Sequence, residues 1–69
     1  MHLYQIITST YVYSLYEEDK QVFLHILNLR TEESTDVSGV TIVMDVLNED
    51  PEVTFDDIVE VHDIITTVL

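Results

Sequence analysis

The sequence predicts an α+β fold: a three-stranded, mainly antiparallel sheet with one C-terminal amphipathic helix packed on one face, in the order β-β-β-α. Two segments, 3–16 and 21–29, are rich in the Tyr, Ile, Val and Thr residues that favour strands. A third, residues 40–47, alternates along its length, and after residue 54 the apolar period changes from two to about 3.6. At 69 residues, we expect a single small acidic domain over residues 1–69.

Composition narrows the class of protein. An apolar fraction of 46% with one glycine and one proline indicates a folded chain, despite a net charge of −12. The absence of cysteine excludes disulfides and thiolate metal sites and fits a reducing compartment. No apolar run approaches the roughly 18 residues of a membrane span, and the first ten residues lack the basic start of a signal peptide. We therefore expect a cytoplasmic protein that does not enter membranes.

The first two strands are predicted to form a hairpin. The polar break EEDK at residues 17–20 separates the two runs and supplies a four-residue turn. The pairs expected from that turn are Leu15 with Val22, Tyr13 with Leu24, and Tyr11 with Ile26. This register gathers six apolar side chains on one face of the sheet.

The next two segments are predicted to be a loop and the third strand. Residues 30–39 are polar and end in Gly39, the only glycine, which is typical of a loop or of a loop with one short turn of helix. In VTIVMDVL, residues 40–47, two alternating sets of side chains would point to opposite faces of the sheet.

The helix is predicted to begin after Thr54, whose spacing to Asp57 matches a helix N-cap signal. At about 100° per residue, one broad arc is apolar and is expected to pack on the sheet. Its members are Phe55, Ile58, Val59, Val61, His62, Ile65, Val68 and Leu69. The other side carries Asp56, Asp57, Glu60 and Asp63.

Charge is concentrated in the second half of the chain. Residues 1–30 hold three acids and two bases, a net −1, whereas residues 31–69 hold eleven acids and no base. The densest stretch is NEDPEVTFDDIVEVHD, residues 48–63. Its seven acids form what we call the acidic ridge: Glu49, Asp50, Glu52, Asp56, Asp57, Glu60 and Asp63. A secondary cluster lies at the predicted hairpin turn: Glu17, Glu18 and Asp19.

Folding alone does not account for the ridge. The helix dipole favours Asp56 and Asp57 in the first turn by about 0.3 to 1 kcal/mol each. Glu60 lies one turn from both Asp56 and Asp63, and each like-charged pair costs roughly 0.2 to 0.5 kcal/mol. Carboxylates four residues apart are about 6 Å apart along a helix axis, a spacing of the same order as the roughly 3.4 Å axial repeat of phosphates on one nucleic-acid strand. The ridge is therefore predicted to imitate a phosphate backbone and to bind a basic protein.

In size, charge, lack of cysteine and this acidic segment, the chain resembles the small acidic DNA-mimic proteins of bacteriophages, and within that class it is most similar to inhibitors of the bacterial nucleoid protein HU. The resemblance implies a non-enzymatic inhibitor that blocks the DNA-binding surface of a basic host protein, with HU the first candidate, in the host bacterial cytoplasm. It also leaves open uracil-DNA glycosylase, the sliding clamp, RNA polymerase, restriction enzymes and CRISPR nucleases as targets. Members of the class share charge pattern rather than sequence or fold, so it assigns no residue a role by position.

Other chemistries find little support in the sequence. An enzyme needs a pocket that a sheet with one helix leaves little room for, so we predict no catalytic residues and no cofactor. The three histidines, His2, His25 and His62, have no second ligand beside them at metal spacing, and no segment has the pattern of a calcium loop, so we predict no metal site. The four tyrosines lack the basic residues that would hold phosphates, which argues against direct binding of nucleic acid.

Two further expectations concern partners. The alternative to a DNA mimic is a small adaptor or assembly module that binds through an apolar sheet face, with the acidic charge serving solubility. We also expect a homodimer formed through sheet edges or through the sheet face that one helix leaves uncovered. The apolar residues predicted on that face are Val12, Tyr16, Phe23, Leu27, Val43 and Leu47.

Overall fold

A computed structural model describes residues 1–69 and confirms the α+β class. It contains four strands and two helices, where three strands and one helix were predicted. The elements are β1 His2–Ile7, β2 Tyr11–Glu18, β3 Gln21–Asn28, β4 Ser34–Ser38, α1 Val40–Glu49 and α2 Phe55–Val68. The strands form one antiparallel sheet in the order β1-β2-β3-β4, so every neighbour in the sheet is also a neighbour in sequence.

The segment predicted as one strand over residues 3–16 is two strands joined by a tight turn at Thr8. The Thr8 amide donates to the carbonyl oxygen of Tyr11 at 2.8 Å, and the Thr8 hydroxyl accepts from the amides of Thr10 and Tyr11. Threonine favours strands, but its hydroxyl also stabilises turns by bonding nearby backbone groups. Here the Thr8 hydroxyl stabilises a turn, and the chain does not continue as one strand.

The β2–β3 hairpin forms, but its register differs from the predicted one by two residues. Leu15 pairs with Leu24 and Tyr13 with Ile26, because the turn contains only Asp19 and Lys20. Both turn residues have positive φ, 51° and 67°, as a two-residue type I′ turn requires. Since side chains alternate with a period of two, a shift of two residues keeps the same side chains on the same face. The predicted apolar face of this hairpin is therefore retained.

Residues 40–47, predicted as the third strand, form helix α1. Val43 and Leu47, four residues apart, are both fully buried, and Met44 and Val46 pack against the same core. The segment VTIVMDVL satisfies both the strand period and the helix period, so periodicity alone did not distinguish them. A helix formed by this segment covers the apolar face of the sheet, and this packing favours the helix over a strand.

The polar segment predicted as a loop, residues 30–39, contains the edge strand β4. It pairs with β3 from Phe23 opposite Ser38 to Leu27 opposite Ser34. Four of the five β4 residues are exposed and only Val37 packs on the core, so the strand has almost no apolar pattern. Backbone hydrogen bonds to β3 hold it in place.

Helix α2 begins where predicted, and the Thr54 hydroxyl accepts from the Asp57 amide at 3.1 Å. Its buried side is rotated from the predicted arc. Val61 and Ile65 lie in the core, with Ile58, Ile64 and Val68 packed against it. Phe55, Val59, His62 and Leu69, predicted in the apolar arc, are exposed instead.

Both helices cover the same face of the sheet, so the molecule has two layers with one core between them. That core contains Ile6, Tyr13, Leu15, Val22, Leu24, Val43, Leu47, Val53, Val61 and Ile65. Val43 and Leu47, predicted on the uncovered face, therefore lie in the core. Neither helix combines the length and the apolar character that crossing a membrane requires.

Candidate functional site

The acidic ridge follows α2 and the segment that joins it to α1. Glu49 is the last residue of α1, Asp50 and Glu52 lie in the connection, and the other four acids are on α2. Lys20 lies in the β2–β3 turn and Arg30 in the β3–β4 connection, and neither forms an ion pair with any acid. The closest contact between an acid and a nitrogen-bearing side chain joins His25 Nδ1 and Asp36 Oδ1, 2.6 Å apart on the sheet. The ridge is thus free of basic side chains.

Three of the seven ridge acids are held by hydrogen bonds to the sheet. The phenol of Tyr13 donates to Asp50 Oδ2 at 2.6 Å, and the phenol of Tyr4 donates to Asp57 Oδ1 at 2.8 Å. These bonds fix the connection and the first turn of α2 over β2 and β1. A structural role therefore explains Asp50 and Asp57.

Glu52 is the third of these acids. Its carboxylate accepts from both the amide and the hydroxyl of Ser9, at 3.1 and 2.5 Å. Ser9 lies in the turn between β1 and β2, so this contact ties the helix connection to the end of the sheet. The sequence reasoning missed all three tyrosine and serine partners, because each lies far from its acid in the chain.

The environment of Tyr13 and Tyr4, including the carboxylates to which they donate, also shifts their pKa. Burial and the hydrogen bond to Asp50 raise the pKa of Tyr13 well above its ordinary 10.0. The hydrogen bond to Asp57, followed by burial, raises the pKa of Tyr4 in the same direction. Both phenols therefore remain protonated donors to their carboxylates throughout the neutral range.

The other four ridge acids, Glu49, Asp56, Glu60 and Asp63, have exposed side chains that make no hydrogen bond. Asp56, Glu60 and Asp63, which we call the acidic stripe, lie one turn apart on α2. At about 100° per residue they fall within a narrow arc opposite the buried Ile65. The stripe points to solvent and has no role in packing.

Two exposed apolar side chains lie beside the stripe. Phe55, the first residue of α2, is 78% exposed, and Val59, one turn later, is 42% exposed. They form a line along the helix next to Asp56 and Glu60. A large exposed aromatic side chain surrounded by charge is a common feature of protein-binding surfaces.

An open cleft lies next to the ridge, between the helix connection and the β2–β3 hairpin. Its volume is about 610 Å³. Tyr11 and Ile26 line the sheet side, and Glu49 and Glu52 line the other. An aromatic ring facing carboxylates has the chemistry to accept a lysine or arginine side chain.

The secondary cluster lies at the opposite end of α2 from this cleft. Lys20 in the same turn lines a small pocket together with Leu69 at the end of the helix. Glu17 is partly structural, since its carboxylate accepts from the Lys20 amide and its carbonyl oxygen accepts from the amino terminus at 2.7 Å. Glu18 and Asp19 are exposed and make no side-chain hydrogen bond. The structure therefore places the secondary cluster near the C-terminal end of α2, beyond Asp63, the last acid of the ridge.

No group of three or more His, Asp or Glu side chains is arranged to hold a metal ion. Comparison with protein-family models, with curated proteins and with solved structures gives no match. The function of this chain is therefore inferred from its residues and their geometry.

Proposed function

We propose that this protein is a non-enzymatic inhibitor that presents the acidic ridge as an imitation of DNA phosphates and blocks the DNA-binding surface of a basic protein. HU is the first candidate target. The observation that carries the proposal is the acidic stripe. Asp56, Glu60 and Asp63 face solvent without any partner, on a helix where each like-charged neighbour costs roughly 0.2 to 0.5 kcal/mol.

The three ridge acids that are held by hydrogen bonds support the same proposal in a different way. Asp50, Glu52 and Asp57 use their hydrogen bonds to hold the connection and the start of α2 against the sheet. The stripe is consequently carried on a helix that is fixed before any partner arrives. A partner that binds it does not have to order the helix, which lowers the entropic cost of association.

Phe55 and Val59 suggest that the contact includes more than charge. A pure phosphate mimic has no use for a phenylalanine that is 78% exposed. We propose that the target has an apolar depression beside its cationic surface and that Phe55 enters it. This adds a contact that DNA does not make and distinguishes the inhibitor from a simple polyanion.

The test of mimicry is competition with DNA. Labelled duplex bound to purified HU should be displaced by this protein at low salt, and excess unlabelled duplex should reverse the displacement. If excess duplex leaves the complex between the two proteins untouched, mimicry is wrong.

The stripe is tested with paired variants. Glu60→Gln with Asp63→Asn should weaken binding and reduce its dependence on salt, because two charges are removed from the contact. Glu32→Gln with Glu33→Gln removes the same charge from the exposed turn before β4 and should have little effect. Equal losses in the two variants would mean that net charge matters and the stripe does not.

Phe55→Ala separates the apolar contact from the charge. Loss of an anchor residue should weaken binding by about 1 to 2 kcal/mol while leaving the salt dependence unchanged. Ile42→Ala, on the exposed side of α1, removes a similarly exposed apolar side chain and is the matched control.

The second candidate is an adaptor module that binds through the sheet. The observation favouring it is that the face of the sheet opposite the helices is uncovered and carries apolar residues, among them Phe23 and Leu27. Binding to that face should respond little to salt, whereas binding through the ridge should weaken steeply between low and moderate salt.

A further inference from the structure

We call the face of the sheet that the helices leave uncovered the outer face. Strand pairing arranges its side chains in rows that run across the strands. Its first row runs across the strands through Ile7, Val12 and Leu27, which are mutual neighbours in the register. Its second row is Gln5, Ser14, His25 and Asp36. Its third row has Tyr16 and Phe23 at its centre, with His2 and Ser38 at its ends. Two rows with apolar centres therefore flank one polar row, and Ser34 ends the first of them.

Two hydrogen bonds already run along the polar row. The Gln5 amide donates to the Ser14 hydroxyl at 3.4 Å, and His25 Nδ1 lies 2.6 Å from Asp36 Oδ1. Ser14 is only 5% exposed although no helix covers this side of the sheet. His25 Nε2 and Asp36 Oδ2 make no hydrogen bond within the chain, so an apolar cover would leave them unpaired, whereas a second polar row offers them partners.

We infer that two copies of this chain pack their outer faces against each other, forming a helix–sheet–sheet–helix assembly. A twofold axis through the polar row places polar row on polar row and apolar row on apolar row. An interface of this kind must be complementary to itself, and the symmetric banding of the outer face meets that requirement. The inference does not depend on the proposed function.

Charge favours a second copy over a basic partner at this face. Of the fourteen acids, only Glu18 and Asp36 are strand residues on the outer face, and His25 lies beside Asp36. The negative electrostatic potential at the outer face is therefore weak, whereas the helix layer carries the acidic ridge and attracts cations. A basic protein is therefore steered to the helices and not to the sheet.

The same geometry overcomes the repulsion between two chains of charge −12. Stacked sheets lie about 10 Å apart, and each helix layer lies outside its own sheet. The two acidic stripes are thus separated by much more than the Debye length of about 8 Å at physiological salt. Packing through the helix layers would bring the stripes together instead.

Sedimentation equilibrium at micromolar concentration and physiological salt tests the inference. The expected species has twice the 8.0 kDa mass of the chain. Leu27→Asp, in an inner strand, should weaken the dimer more than about tenfold, because a carboxylate would be buried among apolar side chains. Ile42→Asp makes the same kind of change on the exposed side of α1 and should leave the dimer intact.

A second variant guards against a failure to fold. Tyr16 is 38% exposed and belongs to the other apolar row, so Tyr16→Asp should preserve the circular dichroism spectrum and also weaken the dimer. A wild-type chain that sediments at 8.0 kDa throughout overturns the inference. So does a dimer that neither Leu27→Asp nor Tyr16→Asp weakens, since it would use a sheet edge or the helix layer.

Discussion

Two tyrosine hydroxyls connect the sheet to the acidic segment. Tyr13 is 4% exposed and reaches Asp50, and Tyr4 reaches Asp57 in the first turn of α2. Each bond joins a neutral phenol to a carboxylate, and hydrogen bonds with one charged partner are stronger than neutral ones. A chain with two basic residues thus positions some of its acids with hydroxyl donors.

We predict that Tyr13→Phe lowers the free energy of unfolding by about 1 to 3 kcal/mol, because it removes a hydrogen bond to a charged group. Urea unfolding followed by circular dichroism measures the change. Tyr11→Phe is the matched control, since the Tyr11 phenol donates no hydrogen bond and its ring lies beside that of Tyr13. Equal stability of the Tyr13→Phe variant and the wild type would contradict the role assigned to this bond.

The raised pKa of Tyr13 also predicts a loss of stability at alkaline pH. Above the ordinary pKa of 10.0 the unfolded chain releases the Tyr13 proton, while the folded chain still holds it. The unfolded state then binds fewer protons, so the free energy of unfolding falls as pH rises from 10 toward the folded pKa. The contribution is fully present below pH 10. Urea titrations at pH values on either side of 10 should show a smaller decline for Tyr13→Phe than for the wild type.

A substitution in the β2–β3 turn is predicted to increase stability. Lys20 has a φ of 67°, a conformation that costs a residue with a side chain roughly 1 kcal/mol and that glycine adopts freely. Lys20→Gly should therefore raise the free energy of unfolding by about 0.5 to 1 kcal/mol. Lys20→Ala removes the same charge without relieving the backbone and should give no gain. A gain in both variants would show that backbone strain at Lys20 is not the cause.

Among the secondary-structure elements, the hairpin face and α2 could be predicted from the sequence because local signals agreed with the final packing. The Thr54 cap and the apolar positions Ile58, Val61 and Ile65 are examples. Helix α1 could not, since VTIVMDVL fits two periods and only the sheet beneath it decides between them. Strand β4 had no apolar pattern at all and depends on backbone bonds to β3.

The sequence identified the acids of the candidate site but not which of them are anchored by hydrogen bonds and which are free. Every ridge acid was evident from the sequence. Which acids are anchored and which are free depends on pairs such as Tyr4 with Asp57, which are 53 residues apart. No local rule connects residues at that distance. Phe55 was misplaced for a related reason, because the orientation of α2 is set by Ile64 and Asp57 as well as by its apolar arc.

The start of α1 depends on Gly39, which gives a prediction for a whole element. Its φ of 92° and ψ of 140° are accessible essentially to glycine, and an added methyl group would meet no atom within 4 Å. Gly39→Ala should cost about 1 to 3 kcal/mol through backbone strain alone. Urea unfolding followed by circular dichroism measures the change, and a Gly39→Ala variant as stable as the wild type would contradict this account of the α1 start.

For the whole molecule, a net charge of −12, with neither Lys20 nor Arg30 in an ion pair, predicts that added salt stabilises the fold. Raising NaCl from about 0.1 to about 1 M shortens the Debye length from about 10 to about 3 Å and screens the like-charged neighbours. The free energy of unfolding should rise by about 1 kcal/mol at constant protein concentration. Glu60→Gln with Asp63→Asn should respond less to salt. A fold that salt leaves unchanged or destabilises would contradict this account of the charge.

The order of elements along the chain affects how the protein folds during synthesis. All four strands precede both helices, and each strand pairs only with its sequence neighbours. Contacts so local in sequence favour rapid folding. The sheet emerges from the ribosome first, yet the residues that cover its apolar face, Val43 to Ile65, follow later at roughly 5 to 20 residues per second. Until the helices have left the ribosome the nascent sheet has no cover on either side, so stable folding waits for α2 to be released.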